Sequence, residues 1–194
     1  MSKIVYIRQA KNNLLLGINT EGECCRYTVG RALYASLGSP AVGEELNEEC
    51  LYEIKYSDEL YRARRKALSL LSLADNNERT LLRKLTAYGI SRDTADEVVR
   101  EMVGHGYINE RAQLERLILS EANHKLTGPK KLLPKLVAKG YSRLDVQAII
   151  TELAERGELD FAQNAARLIE KKLGDDSSVE EKNKLLYKFG YKIC

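Results

Sequence analysis

The spacing of hydrophobic positions changes close to residue 30, from every second position to every third or fourth. Between residues 3 and 29, apolar side chains alternate with polar ones in three short runs, and the turn-forming residues 11–13 and 19–22 separate these runs. Alternation of this kind is typical of strands with one buried face. The pattern predicts a three-stranded β-meander, followed by a short helix from Arg31 to Leu37 that ends at Gly38.

From Asp58 onward the apolar residues follow the helical period. The first helix predicted in this part of the chain runs from Asp58 to about Ser72, and the second runs from Glu78 to Tyr88. Ser91 is a candidate N-cap for the third helix, because its side-chain oxygen can accept a hydrogen bond from a backbone N–H of the first turn. Further helices are predicted to begin near 109, 128, 142 and 160, and residues 184–191 repeat the pattern of the helix ends before Gly89 and Gly140.

The helical part repeats itself with a period of 51 residues. Residues 81–92 return as residues 132–143, so that Gly89 matches Gly140, and the agreement extends to Glu101 with Glu152. A fixed period of this size is typical of stacked helical units that share their cores. The sequence therefore predicts a mainly α fold, in which tandem three-helix repeats form an elongated curved array behind a small N-terminal β-rich segment.

Four segments follow from these patterns. They are an N-terminal segment of strands and a short helix at 1–57, a first three-helix repeat at 58–106, a second at 107–157 and a truncated third at 158–194. Gly89 and Gly140 are expected to end helices in the left-handed conformation. Ser142 and Asp145 have the spacing of a capping box. Pro134 is expected to kink its helix or to delay the start of that helix.

Composition limits the classes of protein that are possible. The apolar fraction of 44% and the charged fraction of 30% are those of an ordinary folded protein, and no apolar run is long enough to cross a membrane. The first residues lack the apolar core of a signal peptide, so a cytoplasmic protein is expected. Cys24, Cys25, Cys50 and Cys194 lack zinc-site spacing, and we expect them to be free thiols.

Positive charge is concentrated in the helical part. Residues 1–60 carry six basic and nine acidic side chains, although the formal charge of the whole chain is +3. Between Ala122 and Leu144 there is no acidic residue, and a second basic group lies on the helix that follows Asp58. Such patches attract phosphates or acidic protein surfaces. The candidate binding residues are Lys125, Lys130, Lys131, Lys135, Lys139 and Arg143 in the first group, and Arg62, Arg64, Arg65 and Lys66 in the second.

No pattern in the sequence indicates catalysis. His105 and His124 are not at ligand spacing, and neither a nucleophile motif nor a phosphate-binding glycine loop accompanies them. We therefore expect no enzyme activity, no metal and no cofactor. Tyr88, Tyr107 and Tyr141 stand beside the predicted turns, where packing between units is expected rather than stacking on bases.

Four motifs, in their order and spacing over residues 60–191, resemble the RecX family of bacterial regulatory proteins, which modulate the RecA recombinase. The motifs are Ala67-Leu68-Ser69-Leu70-Leu71-Ser72, Leu81 with Leu85 and Gly89, Gly106-Tyr107-Ile108-Asn109, and Gly128 with Leu132, Leu136 and Gly140. The resemblance implies a curved stack of helical units, acting as a monomer in the groove of a RecA filament on single-stranded DNA. It also implies inhibition or tuning of ATP hydrolysis and strand exchange, within DNA repair and the SOS response. The chain departs from the family pattern at Gln113-Leu114 and at Pro134.

The main alternative is a helical module that contacts single- or double-stranded DNA directly, because two helices joined by a short glycine turn also describe a helix-turn-helix. The helices that would take the place of recognition helices are acidic, which disfavours sequence-specific recognition of DNA bases. They carry Asp93, Asp96, Glu97 and Glu101 in the first repeat, and Asp145, Glu152 and Glu155 in the second. These carboxylates would meet phosphates, so only nonspecific contact through the basic helices remains open.

Overall fold

The computed structural model describes residues 2–173 and 177–192, and this part of the chain is mostly helical with a four-stranded N-terminal sheet. Part of the predicted loop at 174–178 and the predicted free thiol of Cys194 lie outside the described residues. The strands are β1 (Ser2–Ala10), β2 (Asn13–Thr20), β3 (Glu23–Gly30) and β4 (Glu45–Leu46). The helices are α1 (Arg31–Ser36), α2 (Glu48–Leu73), α3 (Glu78–Ala87), α4 (Arg92–Gly104), α5 (Glu110–Leu119), α6 (Pro129–Ala138), α7 (Arg143–Glu155), α8 (Phe161–Lys172) and α9 (Val179–Phe189).

The described residues divide into two compact units. The first unit contains the residues up to Ala74 and Leu81–Gly104, and the second contains Asp75–Thr80 and the described residues from His105 onward. The predicted mainly α fold with an N-terminal sheet is confirmed. The curvature of the array and the segment boundaries at 57, 106 and 157 stay predictions.

The sheet of the first unit is an antiparallel meander extended by one short edge strand. Its order is β3-β2-β1-β4, with Ile4 paired to Ile18 and Leu16 paired to Tyr27. One face carries the buried residues, and α2 contributes Ile54 to the same core. The two-residue β4 was not predicted, because a strand this short shows no alternation.

Helix α2 begins ten residues earlier than the sequence predicted. Its N-cap is Asn47, whose side-chain oxygen accepts a 2.7 Å hydrogen bond from the backbone N–H of Cys50. Glu48 and Glu49 occupy its first turn, where carboxylates favour the positive end of the helix dipole. The predicted start at Asp58 was therefore wrong, because residues 48–57 are rich in acidic and polar side chains and show only a weak apolar stripe.

The second unit has a core between α5, α6 and α7 and a second cluster against α8 and α9. Leu114, Leu132 and Leu153 are among the buried residues of the first cluster, and Leu168 and Tyr191 belong to the second. Asn109 caps α5 as predicted, with its side chain accepting from the N–H of Ala112 at 3.0 Å. The helix α6 starts at Pro129 and continues through Pro134, so the expected late start was wrong.

Candidate functional site

The ten predicted binding residues fall on two surfaces, one in each unit. The α2 surface consists of Arg62, Arg64, Arg65 and Lys66. The α6 surface lies between the end of α5 and the start of α7, and it consists of Lys125, Lys130, Lys131, Lys135, Lys139 and Arg143. The contacts of each surface show which of these charges are compensated within the same unit.

Three residues of the α2 surface line one shallow pocket. Arg62, Arg65 and Lys66, together with Ser69 and Tyr88, enclose about 260 Å³, and none of these lining residues is acidic. The ammonium of Lys66 lies 4.5 Å from the ring centroid of Tyr88, within the range of a cation–π contact. We call this feature the α2 pocket. It joins positive charge to an aromatic ring that is 56% exposed. The expected packing of Tyr88 between units stays a prediction.

A buried carboxylate sets the position of Arg62. Its Nε atom lies 2.9 Å from Oδ2 of Asp58, and the other oxygen, Oδ1, accepts a 2.8 Å hydrogen bond from the N–H of Thr28 in β3. Because Asp58 is almost buried, this chain of contacts fixes one wall of the α2 pocket against the sheet.

Arg64 is separated from the other three cations. Its Nε atom lies 2.7 Å from Oε2 of Glu101, and two turns earlier on α2 the hydroxyl of Tyr56 donates to Glu97. Both contacts join α2 to α4. The predicted group of four therefore consists of three residues at a pocket and one residue that holds two helices together.

The α6 surface contains a counter-charge that the sequence did not reveal. Glu121 has a side chain that is 2% exposed, and its two oxygens lie 2.8 Å from Lys125 Nζ and 2.5 Å from Lys135 Nζ. Burial alone would raise the pKa of Glu121, but the hydrogen bonds from the two lysines outweigh that effect and lower the pKa below its ordinary value. One carboxylate is thus shared by two of the six predicted cations, and it offsets one of their two charges.

Local backbone geometry places Glu121 there. Residues Ser120–His124 form a single turn of π-helix after α5, and Leu126 then adopts a φ of +55°. A π turn inserts one additional residue and often marks a functional or strained segment. Glu121 lies one position before the basic run that begins at Ala122. The composition of that run therefore gave no sign of the carboxylate.

Lys131 is used to join α6 to α9. Its ammonium donates a 2.6 Å hydrogen bond to the carbonyl of Lys188 near the end of α9, where cations are favourable. Backbone bonds run beside it, from Gly128 N–H to Phe189 O at 2.8 Å and from Lys130 N–H to Gly190 O at 3.0 Å. The remaining cations of the surface, Lys130, Lys139 and Arg143, are exposed and form no ion pair with any carboxylate that the structure describes.

An apolar groove lies beside two of these three cations. Its walls are Pro129, Leu133, Pro134, Val137 and Ala138, and its volume is about 610 Å³. Lys130 and Arg143 also line it. We call this feature the α6 groove. From its sequence position Pro134 was expected only to disturb the helix, whereas the structure places this residue on an exposed wall of the groove.

A second pocket of the same unit contains acidic groups. Glu110 and Asp145 line it with Tyr141, and its volume is about 220 Å³. Burial raises the pKa of Glu110 and of Tyr141, although Glu110 also accepts a 2.7 Å hydrogen bond from the N–H of Glu78. That bond satisfies the first turn of α3. Ser142 forms no side-chain cap on α7, so the predicted capping box with Asp145 is wrong.

Neither a metal-binding cluster nor a helix able to span a membrane is found among the described residues. Across residues 2–173 and 177–192, no group of His, Cys, Asp and Glu side chains is arranged to hold a metal ion. None of the described helices combines the length and the apolar character that a membrane span requires.

Comparison with known proteins supplies relatives of one kind. No protein-family model matches the chain. The regulatory protein RecX of Clostridioides difficile is 28% identical over 147 residues, covering 75% of this chain and 66% of the relative. The regulatory protein RecX of Listeria monocytogenes is 26% identical over 130 residues, covering 67% of this chain and 48% of the relative. The chain thus spans from about half to two thirds of the length of these relatives.

Two solved structures share the fold. A crystal structure of regulatory protein RecX superposes with a TM-score of 0.69 at 18% identity, covering 99% of this chain and 95% of that one. A structure of RecX from Lactobacillus salivarius gives a TM-score of 0.57 at 18% identity, covering 70% and 90% of the two chains. The sequence relatives and the shared fold confirm the resemblance on which the sequence analysis relied.

Proposed function

We propose that this chain, a member of the RecX family, is a non-enzymatic regulator of the RecA recombinase. It acts as a monomer, binds the RecA filament on single-stranded DNA, and inhibits the ATP hydrolysis and strand exchange of that filament. The observation that supports this proposal best is the match in fold over 99% of the chain to the crystal structure of a regulatory protein RecX.

The charges of the two surfaces give the proposal a physical basis. A filament of protein on single-stranded DNA carries a dense array of phosphates, and exposed cations are attracted to it by a long-range, salt-dependent field. The exposed cations that support the proposal are Lys130, Lys139 and Arg143 on the α6 surface and those that line the α2 pocket.

The direct test is RecA ATP hydrolysis on single-stranded DNA with increasing amounts of this protein. We expect the rate to fall in low salt, and the inhibition to weaken as salt is added, because salt screens the attraction between exposed charges. An unchanged rate at saturating protein in low salt would reject the proposed function.

A charge-reversal variant assigns the inhibition to the α6 surface. The triple variant Lys130→Glu, Lys139→Glu and Arg143→Glu is preferable to changes at Lys131 or Lys135, because those two residues have structural partners. The matched control is Lys55→Glu, Lys172→Glu and Lys184→Glu, which changes the charge equally at exposed positions elsewhere. We expect only the first variant to lose inhibition, and equal inhibition by both would move the contact to another surface.

Nonspecific contact with DNA is the second candidate function, and the α2 pocket favours it. Three cations, one hydroxyl and an exposed aromatic ring line this pocket, which is the combination that single-stranded nucleic acid binds through phosphates and bases. We expect Arg65→Glu with Lys66→Glu to weaken the binding of a fluorescent single-stranded oligonucleotide. Unchanged binding and an unchanged salt dependence would argue against this use of the pocket.

A further inference from the structure

We propose that the α6 groove binds a peptide segment of the protein partner that presents an apolar side chain next to carboxylates. The inference rests on the proposed function, because the partner is taken to be RecA. It adds that contact with the partner includes protein recognition at a defined groove, beyond attraction to phosphates.

The shape and chemistry of the groove suit an apolar side chain. Leu133, Pro134 and Val137 form its floor and walls, and the volume of about 610 Å³ lies within the range of small-ligand pockets. Val137 is 37% exposed, and Leu144, which follows Arg143 in the chain, is 76% exposed. Contiguous apolar surface rimmed by polar groups is typical of protein interaction sites.

The positive charges at the rim of the α6 groove favour a peptide that has acidic residues beside its apolar side chain. Lys130 and Arg143 line an otherwise apolar groove and form no ion pair with a described carboxylate. Lys125 and Lys135, by contrast, already share Glu121. The guanidinium of Arg143 can accept a carboxylate through two parallel hydrogen bonds, and Lys130 supplies a point charge. An acidic segment therefore complements this rim.

The same chemistry disfavours nucleic acid as the occupant. The groove has no aromatic side chain on which a base could stack, and Pro129 and Pro134 have no backbone N–H to offer a phosphate. The aromatic ring and the hydroxyl that nucleic acid would use are in the α2 pocket instead.

The groove is held in shape at both ends of α6. At the start, Gly128 and Lys130 donate backbone hydrogen bonds to residues 189 and 190, and the Lys131 side chain donates to the carbonyl of Lys188. At the other end, the carbonyl of Lys139 accepts a 3.0 Å hydrogen bond from Nδ2 of Asn77. A preformed groove loses little conformational freedom on binding, which favours affinity.

Photocrosslinking tests the inference. We would replace Val137 by the photoreactive residue benzoylphenylalanine, irradiate the full chain with RecA filaments on single-stranded DNA, and map the products by mass spectrometry. The matched control carries the same residue at Val179, an exposed valine of α9. We expect position 137 to link to a RecA peptide that contains Asp or Glu beside an apolar residue, with at least tenfold higher yield than position 179. Lys130→Glu with Arg143→Glu should abolish that excess.

Each of the other outcomes contradicts the proposed binding of a RecA peptide in the α6 groove, and the outcomes can be distinguished from one another. Links only to the oligonucleotide would make the groove a nucleic-acid site, and links between two copies of this chain would make it a self-association site. An absence of excess at position 137 while RecA ATP hydrolysis is still inhibited would reject the groove and keep the proposed function. If ATP hydrolysis is unaffected by the unmodified chain, both are rejected.

Smaller substitutions at Val137 test the same groove without the bulky photoreactive side chain, which could itself change the packing there. Val137→Asp places a carboxylate in the groove, where it would repel the acidic segment, and Val137→Ala removes only apolar contact. We expect the half-inhibitory concentration to rise at least tenfold for the aspartate variant and less for the alanine variant. Inhibition equal to that of the unsubstituted chain in both variants would also reject the groove.

Discussion

The ammonium of Lys135 lies 2.5 Å from Oε2 of Glu121, a carboxylate that the sequence places 14 positions earlier and the fold buries. Lys125 holds the other oxygen at 2.8 Å. Since Lys131 donates to a carbonyl of α9, only Lys130, Lys139 and Arg143 present charge without a described partner group. The charge of this surface that has no described partner is therefore concentrated at the two ends of α6 and the start of α7.

Replacing Glu121 tests this arrangement. Glu121→Gln removes the charge that compensates two lysines, and we expect the variant to elute from a heparin column at higher salt. The loss of two charge-assisted hydrogen bonds should lower the free energy of unfolding at pH 7 by about 1–3 kcal/mol. Elution at the same salt would show that Lys125 and Lys135 do not gain free charge in the variant.

The pH dependence of stability gives a second readout at the same residue. Because the pKa of Glu121 is lowered in the folded chain, its ionised form contributes stability above the unfolded-state pKa of about 4.3. That contribution is lost as pH falls through the lower folded-state pKa. Urea denaturation should therefore show a difference between the unsubstituted chain and Glu121→Gln that shrinks between about pH 5 and pH 3. A constant difference would assign the effect of the variant to packing.

Two equivalent glutamates of the repeat, whose pKa values are shifted in opposite directions, should respond to neutralisation to different extents. Glu59 accepts hydrogen bonds from Ser91 N–H at 2.6 Å and from the hydroxyls of Ser91 and Thr94, and these bonds outweigh burial and lower its pKa. Burial raises the pKa of Glu110, the residue at the same position of the second repeat. We expect Glu59→Gln to destabilise by about 1–2 kcal/mol and Glu110→Gln to change stability by less than about 0.5 kcal/mol at pH 7. Equal losses in chemical denaturation would contradict this difference.

The close approach of Gly128 to Gly190 should not tolerate a side chain. A Cβ atom on Gly128 would lie 2.5 Å from the carbonyl carbon of Gly190, whereas one on Gly30 would meet no atom within 4 Å. We expect Gly128→Ala to lower the free energy of unfolding by about 1–3 kcal/mol, through displacement of α9 from α6. Gly30→Ala is the control, and a similar loss in both variants would exclude the steric explanation.

Tyr56 should be identifiable by its titration. The hydrogen bond to Glu97, assisted by burial and by the charge of Glu97, raises the pKa of Tyr56 to about 12. The stabilisation from this bond is complete below the unfolded-state pKa of about 10 and is lost as pH rises through the folded value. Ultraviolet titration of the 11 tyrosines should lose its latest component in Tyr56→Phe, and Glu97→Gln should move that component toward lower pH. A late component retained in Tyr56→Phe would assign it to another tyrosine.

Period and local capping were enough to predict most of the fold. The alternation before residue 30 predicted β1 to β3, and the 51-residue repeat predicted where helices end at Gly89 and Gly140, both of which have positive φ. These features depend on neighbours within a few positions. The first ten residues of α2 were missed because Leu51 and Ile54 are their only aliphatic side chains, a stripe too short to indicate a helix.

The candidate site was less predictable, because contacts distant in sequence decide which charges are compensated. A π-helical turn brings Glu121 into an ion pair with Lys135, and no rule based on sequence spacing predicts this contact. At Ser142 the local rule was wrong, because Asp145 lines a pocket with Glu110, whose pKa its charge helps to raise. In the first repeat the residue equivalent to Asp145 is Thr94, whose side-chain hydroxyl donates a hydrogen bond to Glu59.

The bonds between the start of α6 and the end of α9 have a consequence for biosynthesis. Lys131 finds its carbonyl partner 57 positions further along the chain. A ribosome adds about 5–20 residues per second, so roughly 3–11 seconds separate the appearance of these two residues. During that delay the nascent polypeptide lacks the hydrogen bonds that join α6 to α9, so the second unit is not yet completely folded and is accessible to chaperones.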